Sequence, residues 1–359
     1  LQEKPIFSNP EQDSGKDTGR THGSGNKKNR QRLSEAEFGF FLWGMIDPRR
    51  PGILFLGTPD FAAASLKKLL DMNARVLAVV TAPDKPAGRG LQLRESPVKI
   101  VAQEAGLPVF QPEKLRDPDF LEAIRRLEPD LGIVVAFRML PEAVWNMPRL
   151  GTFNLHASLL PAYRGAAPIH HALMNGETET GLSTFFLQHA IDTGDLLMQK
   201  RIPVFPDDNL GSLSTRMQEE GAELVCQTLK GIGENRFSPV PQDESRVSYA
   251  PKITPETCRI DPSCPAEKIH NQIRGLSPFP GAFLETPAGK IKITASTLLP
   301  LACNGTPPGT FRRQEPYDLQ LATGDYWLSV NEIQPEGRKR MSARDFLIGN
   351  KAEILNQKT

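Results

Sequence analysis

From Ile53 onward the chain alternates short, almost wholly apolar runs with amphipathic ones. ILFLG reads as a buried strand, TPDFAAASLKKLL as a turn leading into a helix with an apolar stripe, and RVLAVVTA at 75–82 as a second buried strand. LGIVVAF at 131–137 and TFNLHAS at 152–158 continue the series, with PEAVWNM between them as a short helix, and SLSTRMQEEGAELVCQTLKGI is a long amphipathic helix. Successive strand residues point to opposite faces, so a nearly unbroken apolar strand needs cover on both sides. The pattern therefore predicts a Rossmann-like α/β layer structure with a mostly parallel sheet. In such sheets ligands gather at the carboxyl ends of the strands.

The pattern changes on either side of this region. Residues 1–50 read as a disordered N-terminal extension, polar and rich in Lys, Arg, Asn, Gly and Ser up to about residue 36. FGFFLWGM at 38–45 follows the basic KKNRQR, but the polar stretch before it is too long for a signal peptide and no small-residue cleavage site follows. The chain opens on Leu1, and Met45, just before the first strand, offers a later start for the folded part. Residues 51–236 are expected to form the α/β domain, and 237–256, rich in Pro, Ser and charge, a linker. Residues 257–359 carry short strands such as GAFLETP, KIKITAS, LQLATGD and YWLSVNEI, punctuated by Gly and Pro, which predict a small β-barrel.

Length, charge, cysteine usage and the longest apolar run each refine this picture. A length of 359 residues suits two domains that each bury a core. The 43 Lys and Arg against 42 Asp and Glu leave a net charge of +1, so any binding to nucleic acid must come from a local patch and not from a whole-molecule field. Cys226, Cys258, Cys264 and Cys303 form no CxxC pair, which disfavours structural zinc or a disulfide framework and points to a reducing cytoplasm. No run reaches the ~20 apolar residues of a membrane-spanning helix, and no membrane partner is expected.

Asn154 and His156 stand two apart on a predicted strand, so both side chains leave the same face and could converge on one atom. A neutral amide donor beside an imidazole that can also donate suits an oxyanion forming as a carbonyl carbon turns tetrahedral. A polar pair that merely satisfies the end of a strand has the same spacing. Asp192, in AIDTGD at 190–195, lies in a tight loop and would orient His156 if it came near; an ordinary Asx-turn accounts equally for Asp before Thr-Gly. His170, His171 and His189 show no HxH or HxxxH spacing and read as ordinary histidines, not metal ligands. Pro83 to Gly90, with Arg94 and Lys99 beyond, forms a long basic loop that presents Lys85 and Arg89 either to phosphates or simply to solvent. Gly57 is a lone glycine and not a GxGxxG fingerprint, which disfavours NAD.

Taken together, FLGTPDFA at 55–62, PDKPAGRG at 83–90, SPVK at 96–99, NLHASLLPAYRGAAPI at 154–169 and IDTGD at 191–195 resemble the methionyl-tRNA formyltransferases, over about residues 53–348. The Asn-x-His, SLLP and Asp-Thr-Gly elements are common to transferases that use 10-formyltetrahydrofolate. The PAGRG loop, the RGAAPI run, LSPFPGAFL and GRKRMSARDFL point to tRNA. The resemblance implies a Rossmann-like formyltransferase domain followed by an OB-like one. It implies that Asn154, His156 and Asp192 are catalytic, and that Ser158, Leu159, Leu160 and Pro161 shape the folate site. It further implies that the loop with Lys85, Arg89, Arg94 and Lys99 enters the acceptor arm of initiator methionyl-tRNA, and that Arg338, Lys339, Arg340 and Arg344 form a second basic surface. The implied reaction transfers a formyl group from 10-formyltetrahydrofolate to the methionine amino group, with no metal, in a cytoplasmic monomer.

Three departures stand out. AFRMLP at 136–141 is one residue short of the usual pattern, QHA at 188–190 replaces Asp-x-Gly, and Ala157 replaces a common Gly, which would strain the loop if positive φ were needed there. Rival readings are a glycinamide ribonucleotide transformylase, which lacks the second domain, an amino-sugar formyltransferase, and a non-catalytic folate- or RNA-binding relative, against which the intact trio argues.

Overall fold

Strand β1 (Ile53–Gly57) sends Ile53 and Phe55 into one apolar core and Leu54 and Leu56 into another. This two-sided burial is why its sequence shows no polar alternation. The structure, a computed structural model, describes residues 50–87, 92–287 and 289–349; apart from Arg50 the extension at 1–50 lies outside the described residues.

The first sheet also contains β2 (Val76–Val80), β3 (Val109–Phe110), β4 (Leu131–Val135), β5 (Thr152–His156), β6 (Glu179–Phe186) and β7 (Leu196–Pro203). Its order is β7-β6-β5-β4-β1-β2-β3, parallel from β3 to β5 and antiparallel from β5 through β6 to β7. The chain leaves β1 toward β2, whereas β4 lies on its other side. The loops after β1 and β4 therefore diverge and open a crevice at the carboxyl ends. Helices Asp60–Asp71 and Leu210–Gly233 cover one face, and Phe120 and Ile124 of helix Pro118–Arg126 pack on the other. At the β1 turn a Cβ on Gly57 would lie 2.5 Å from the Ala62 Cβ, so glycine lets the strand pass into the helix at this separation.

The antiparallel edge carries no apolar signature in the sequence. Its buried Ser183 and Thr184 are polar but satisfied: the Ser183 hydroxyl donates to the Ser158 carbonyl at 2.7 Å, and the Thr184 and Thr228 hydroxyls lie 2.9 Å apart. Such pairing lets polar residues occupy a core at little cost.

The second sheet comprises β8 (Ala282–Thr286), β9 (Gly289–Ala302), β10 (Phe311–Gln314), β11 (Asp318–Ala322) and β12 (Tyr326–Pro335). It is antiparallel in the order β8-β9-β12-β11-β10, with Met341–Ser342 paired to β12. Register shifts between β9 and β12 mark bulges, which increase twist and bend the sheet. Ile269 and Ile273 of helix Ala266–Leu276 fill its core. This helix also meets the first domain: the Arg274 Nη1 donates to the Phe205 and Asp208 carbonyls at 3.1 and 3.2 Å, and His170 Nδ1 lies 2.8 Å from the Gly275 carbonyl. All four cysteines are free thiols.

The stretch read as a linker connects the two sheets without hanging free. Val240 exchanges backbone hydrogen bonds with Leu196 at 2.8 and 3.0 Å, and Tyr249–Ala250 pairs in parallel with Arg164–Gly165.

Candidate active site

Strand β5 places Phe153 and Leu155 in the core beneath helix Leu210–Gly233, which leaves Asn154 and His156 on its opposite face. His156 is 6% exposed. Its Nε2 lies 2.9 Å from the Tyr163 carbonyl, an acceptor only, so Nε2 carries a hydrogen and donates it. The ring is thereby fixed with Nδ1 toward Asp192, 3.7 Å from Oδ2. That separation is too long for a hydrogen bond but suits a charge pair when the ring is doubly protonated.

Asp192 is held from several sides. The Gly165 N–H donates to Oδ2 at 2.9 Å, and the Thr193 hydroxyl closes the loop on the Ala190 carbonyl at 3.0 Å. Gly194 passes so close to β6 that a Cβ on it would lie 1.6 Å from the Phe186 carbonyl oxygen. Asp192 itself has φ 55°, Tyr163 has φ 60° and Ala136, just beyond β4, has φ 46°. A left-handed backbone costs a residue with a side chain free energy, least for Asp and Asn, and four further residues outside the site, Asn73, Glu128, Asn235 and Asn304, adopt it as well. Ala157 is not among the left-handed residues, so its replacement of Gly brings none of the anticipated backbone strain.

Asn154 is half-buried, and its amide makes no hydrogen bond to another described residue. It pairs with Val134, two residues before Ala136. The shortened loop at 136–141 is pinned elsewhere: Arg138 Nη1 donates to the Glu113 carbonyl at 2.8 Å and Nη2 donates to that of Pro112.

Ser158 to Pro161 form the turn from His156 to Tyr163. The Ser158 hydroxyl donates to the Ala162 carbonyl at 2.5 Å, the Leu160 carbonyl accepts from Gln199 at 2.8 Å, and Leu159 packs against Gly181. Their polar groups are largely spent on the turn itself. The Tyr163 phenol donates to Glu177 at 2.5 Å, and burial together with that carboxylate pushes its pKa up to about 12.

The RGAAPI run, which in the sequence points toward tRNA, buries Arg164 and Ala167 to Ile169 and leaves Ala166 exposed. Arg164 is 4% exposed and its guanidinium donates to the Gln242 side-chain oxygen and to both oxygens of Glu244. This contact with Arg164 holds the Glu244 carboxyl below its ordinary range. Arg164, Gly165, Gln242 and Ser248, whose hydroxyl accepts from the Tyr163 N–H at 2.9 Å, border the candidate site and were not singled out from the sequence. The first two lay in a conspicuous motif, but Gln242 carried no local signal.

The cations assigned to tRNA divide. Lys85 and Arg94 face each other across the hairpin of Lys85–Ala87 and Gln92–Arg94 and are exposed, whereas Arg89 lies outside the described residues. Lys99 is 13% exposed and bound to Asp84 at 2.5 Å and Glu95 at 2.8 Å, contacts that raise its pKa. It bolts down the base of the hairpin. Arg338, Lys339 and Arg340 are exposed at the turn after β12, and Arg344 lies 5.3 Å from the Tyr317 ring centroid. Among the described residues no group of three or more His, Cys, Asp or Glu is placed to hold a metal, and no helix is long and apolar enough to cross a membrane.

Comparison with known proteins identifies the class as that of the formyl transferases. Two family models match the chain, "Formyl transferase" over residues 52–229 and "Formyl transferase, C-terminal domain" over 252–351. The methionyl-tRNA formyltransferase of Bacteroides fragilis is 47% identical over 306 residues, covering 83% of this chain and 94% of its own length. That of Trichlorobacter lovleyi is 45% identical over 299 residues, with 83% and 94% covered. The chain belongs to the methionyl-tRNA formyltransferase family. The N-formyltransferase from Helicobacter canadensis, solved with folinic acid and dTDP-3-aminofucose, shares the fold at a TM-score of 0.59 and 20% identity, covering 78% of this chain and 99% of that one. HypX from Aquifex aeolicus, solved with tetrahydrofolic acid, matches at a TM-score of 0.59 and 18% identity over 83% of this chain, which spans 47% of that longer protein.

Proposed function

We propose that this chain transfers the formyl group of 10-formyltetrahydrofolate to the amino group of initiator methionyl-tRNA, giving N-formylmethionyl-tRNA in the cytoplasm. The observation that carries this reading is the meeting of His156 and Asp192 beside Asn154 at the end of β5, in a chain 47% identical to a methionyl-tRNA formyltransferase.

In this mechanism the amine lone pair attacks the formyl carbon and the carbonyl electrons move onto oxygen. Asn154 donates to that oxyanion through its amide. His156, with Nε2 committed to Tyr163, donates through Nδ1 in its doubly protonated form. Asp192 balances the imidazolium charge. Collapse of the tetrahedral carbon breaks its bond to N10 of the folate, which takes up a proton as the new amide nitrogen gives one away. Nothing in these steps calls for a metal or a covalent intermediate. Ser158, Leu159, Leu160 and Pro161 shape the folate side of the crevice, and Lys85, Arg89, Arg94, Arg338, Lys339 and Arg340 face tRNA phosphates, with Lys99 at the base of the hairpin.

The test offers the protein 10-formyltetrahydrofolate with either charged initiator tRNA or a nucleotide-linked amino sugar. Formylation of the tRNA alone is expected; formylation of the sugar alone would overturn the reading. Arg89→Ala should raise KM for tRNA, leave KM for the folate unchanged, and flatten the dependence of log(kcat/KM) on log salt by about 0.7–0.9 for each phosphate that the variant no longer neutralises. An equal rise in KM for both substrates would instead mark Arg89 as structural.

A further inference from the structure

The two family matches leave a gap, since the first ends at residue 229 and the second begins at 252. Gln242 lies in that gap and is 9% exposed. Its amide nitrogen donates to the backbone carbonyls of Asp192 and Gly194 at 2.9 and 2.8 Å. Its amide oxygen accepts from Arg164 Nε and Nη2 at 3.1 and 2.8 Å. A guanidinium can only donate and a carbonyl can only accept, so the amide orientation is unambiguous and its two donors and its oxygen are all used. Glu244, from the same segment, holds the guanidinium in place.

We propose that Gln242 is a positioning residue for formyl transfer, clamping the backbone of the Asp192–Gly194 loop so that the Asp192 carboxylate meets His156. The proposal rests on the reading of Asp192 as catalytic. Asp192 adopts a left-handed backbone with φ 55°, and the carbonyls on either side of Thr193, those of Asp192 and Gly194, are both bonded to Gln242. Gly165 restrains the carboxylate, while Gln242 restrains the main chain. The same segment also reaches His156: the Ser248 hydroxyl accepts from the Tyr163 N–H at 2.9 Å, and the Tyr163 carbonyl fixes the ring. A connection between domains thus doubles as the buttress of the reacting pair.

The experiment compares Gln242→Leu and Gln242→Glu in the wild-type and Asp192→Asn backgrounds, with thermal unfolding recorded for each. Leu removes every bond, whereas Glu keeps the acceptors for Arg164 and loses the two donors. Each single change should lower kcat by about 10- to 100-fold while KM for the formyl donor stays within about twofold, the pattern of a displaced group. In the Asp192→Asn background neither should lower kcat by more than about threefold further, because the clamp acts through the missing carboxylate. Effects that multiply fully in that background would overturn the proposal, as would wild-type kcat in Gln242→Glu. If Gln242→Leu does not fold, Gln242→Glu carries the same comparison. A fully active Asp192→Asn would instead overturn the underlying assignment of Asp192, an outcome separate from the others.

Discussion

Asn154→Ala is expected to lower kcat by about 100- to 1,000-fold, equivalent to about 2.7–4 kcal/mol of barrier, which is the penalty associated with removing one oxyanion donor. The size follows from what the side chain does not do in the protein alone. Its half-buried amide makes no hydrogen bond to another described residue, so its removal should cost the fold little and the reaction much. In the proposed mechanism its hydrogen bond strengthens as charge moves onto the formyl oxygen. The deficit should therefore appear in kcat, with KM for both substrates near wild type. Asn154→Asp should be at least as damaging, because it sets a carboxylate against the oxyanion. Single-turnover rates with saturating folate and tRNA measure the chemical step, and circular dichroism checks the fold. A folded Asn154→Ala enzyme with wild-type turnover would remove Asn154 from the mechanism.

Gly194→Ala should be nearly as damaging to activity while also weakening the fold. A methyl group at 1.6 Å from the Phe186 carbonyl oxygen cannot be accommodated, and the obstacle is backbone of β6, not the tip of a flexible side chain. The loop must move away from the sheet. Overpacking of this kind costs about 1–3 kcal/mol of stability. The displaced loop carries Asp192 from His156 and pulls the Gly194 carbonyl off Gln242. A displacement near 1 Å can by itself cost about 100-fold in rate, so activity should fall by more than about 100-fold. Activity assays and thermal unfolding on the same preparation separate the two effects. Wild-type activity in Gly194→Ala would mean that the close approach at β6 is not required for catalysis.

Much of the catalytic sheet was legible because its strands are buried on both faces: β1, β2 and β4 read as apolar runs in the chain and form as strands in the structure. The pairing of Asn154 with His156 was legible for the same kind of local reason, since residues two apart on a strand share a face. The antiparallel edge was not, because Ser183 and Thr184 are buried through hydrogen bonds to residues far along the chain. Lys99 illustrates the limit on charge. Its place in a basic loop suggested a phosphate contact, yet Asp84, 15 positions away, and Glu95 fold back onto it.

What the sequence determined by itself was therefore local and repetitive: strand and helix from hydrophobic period, a shared face from a spacing of two, and a reaction class from motifs in order. Tertiary structure alone decided which groups meet. It brought Asp192 to 3.7 Å from His156 across a gap of 36 positions, turned Arg164 inward, and made of residues 240–250 a brace over the site where composition indicated only a tether. The physical reason is that a hydrogen bond between distant residues depends on the path of the whole chain and leaves no periodic trace in its composition. Gln242 is one polar residue among many in a Pro- and Ser-rich stretch until the fold sets its amide between Arg164 and the backbone of Asp192.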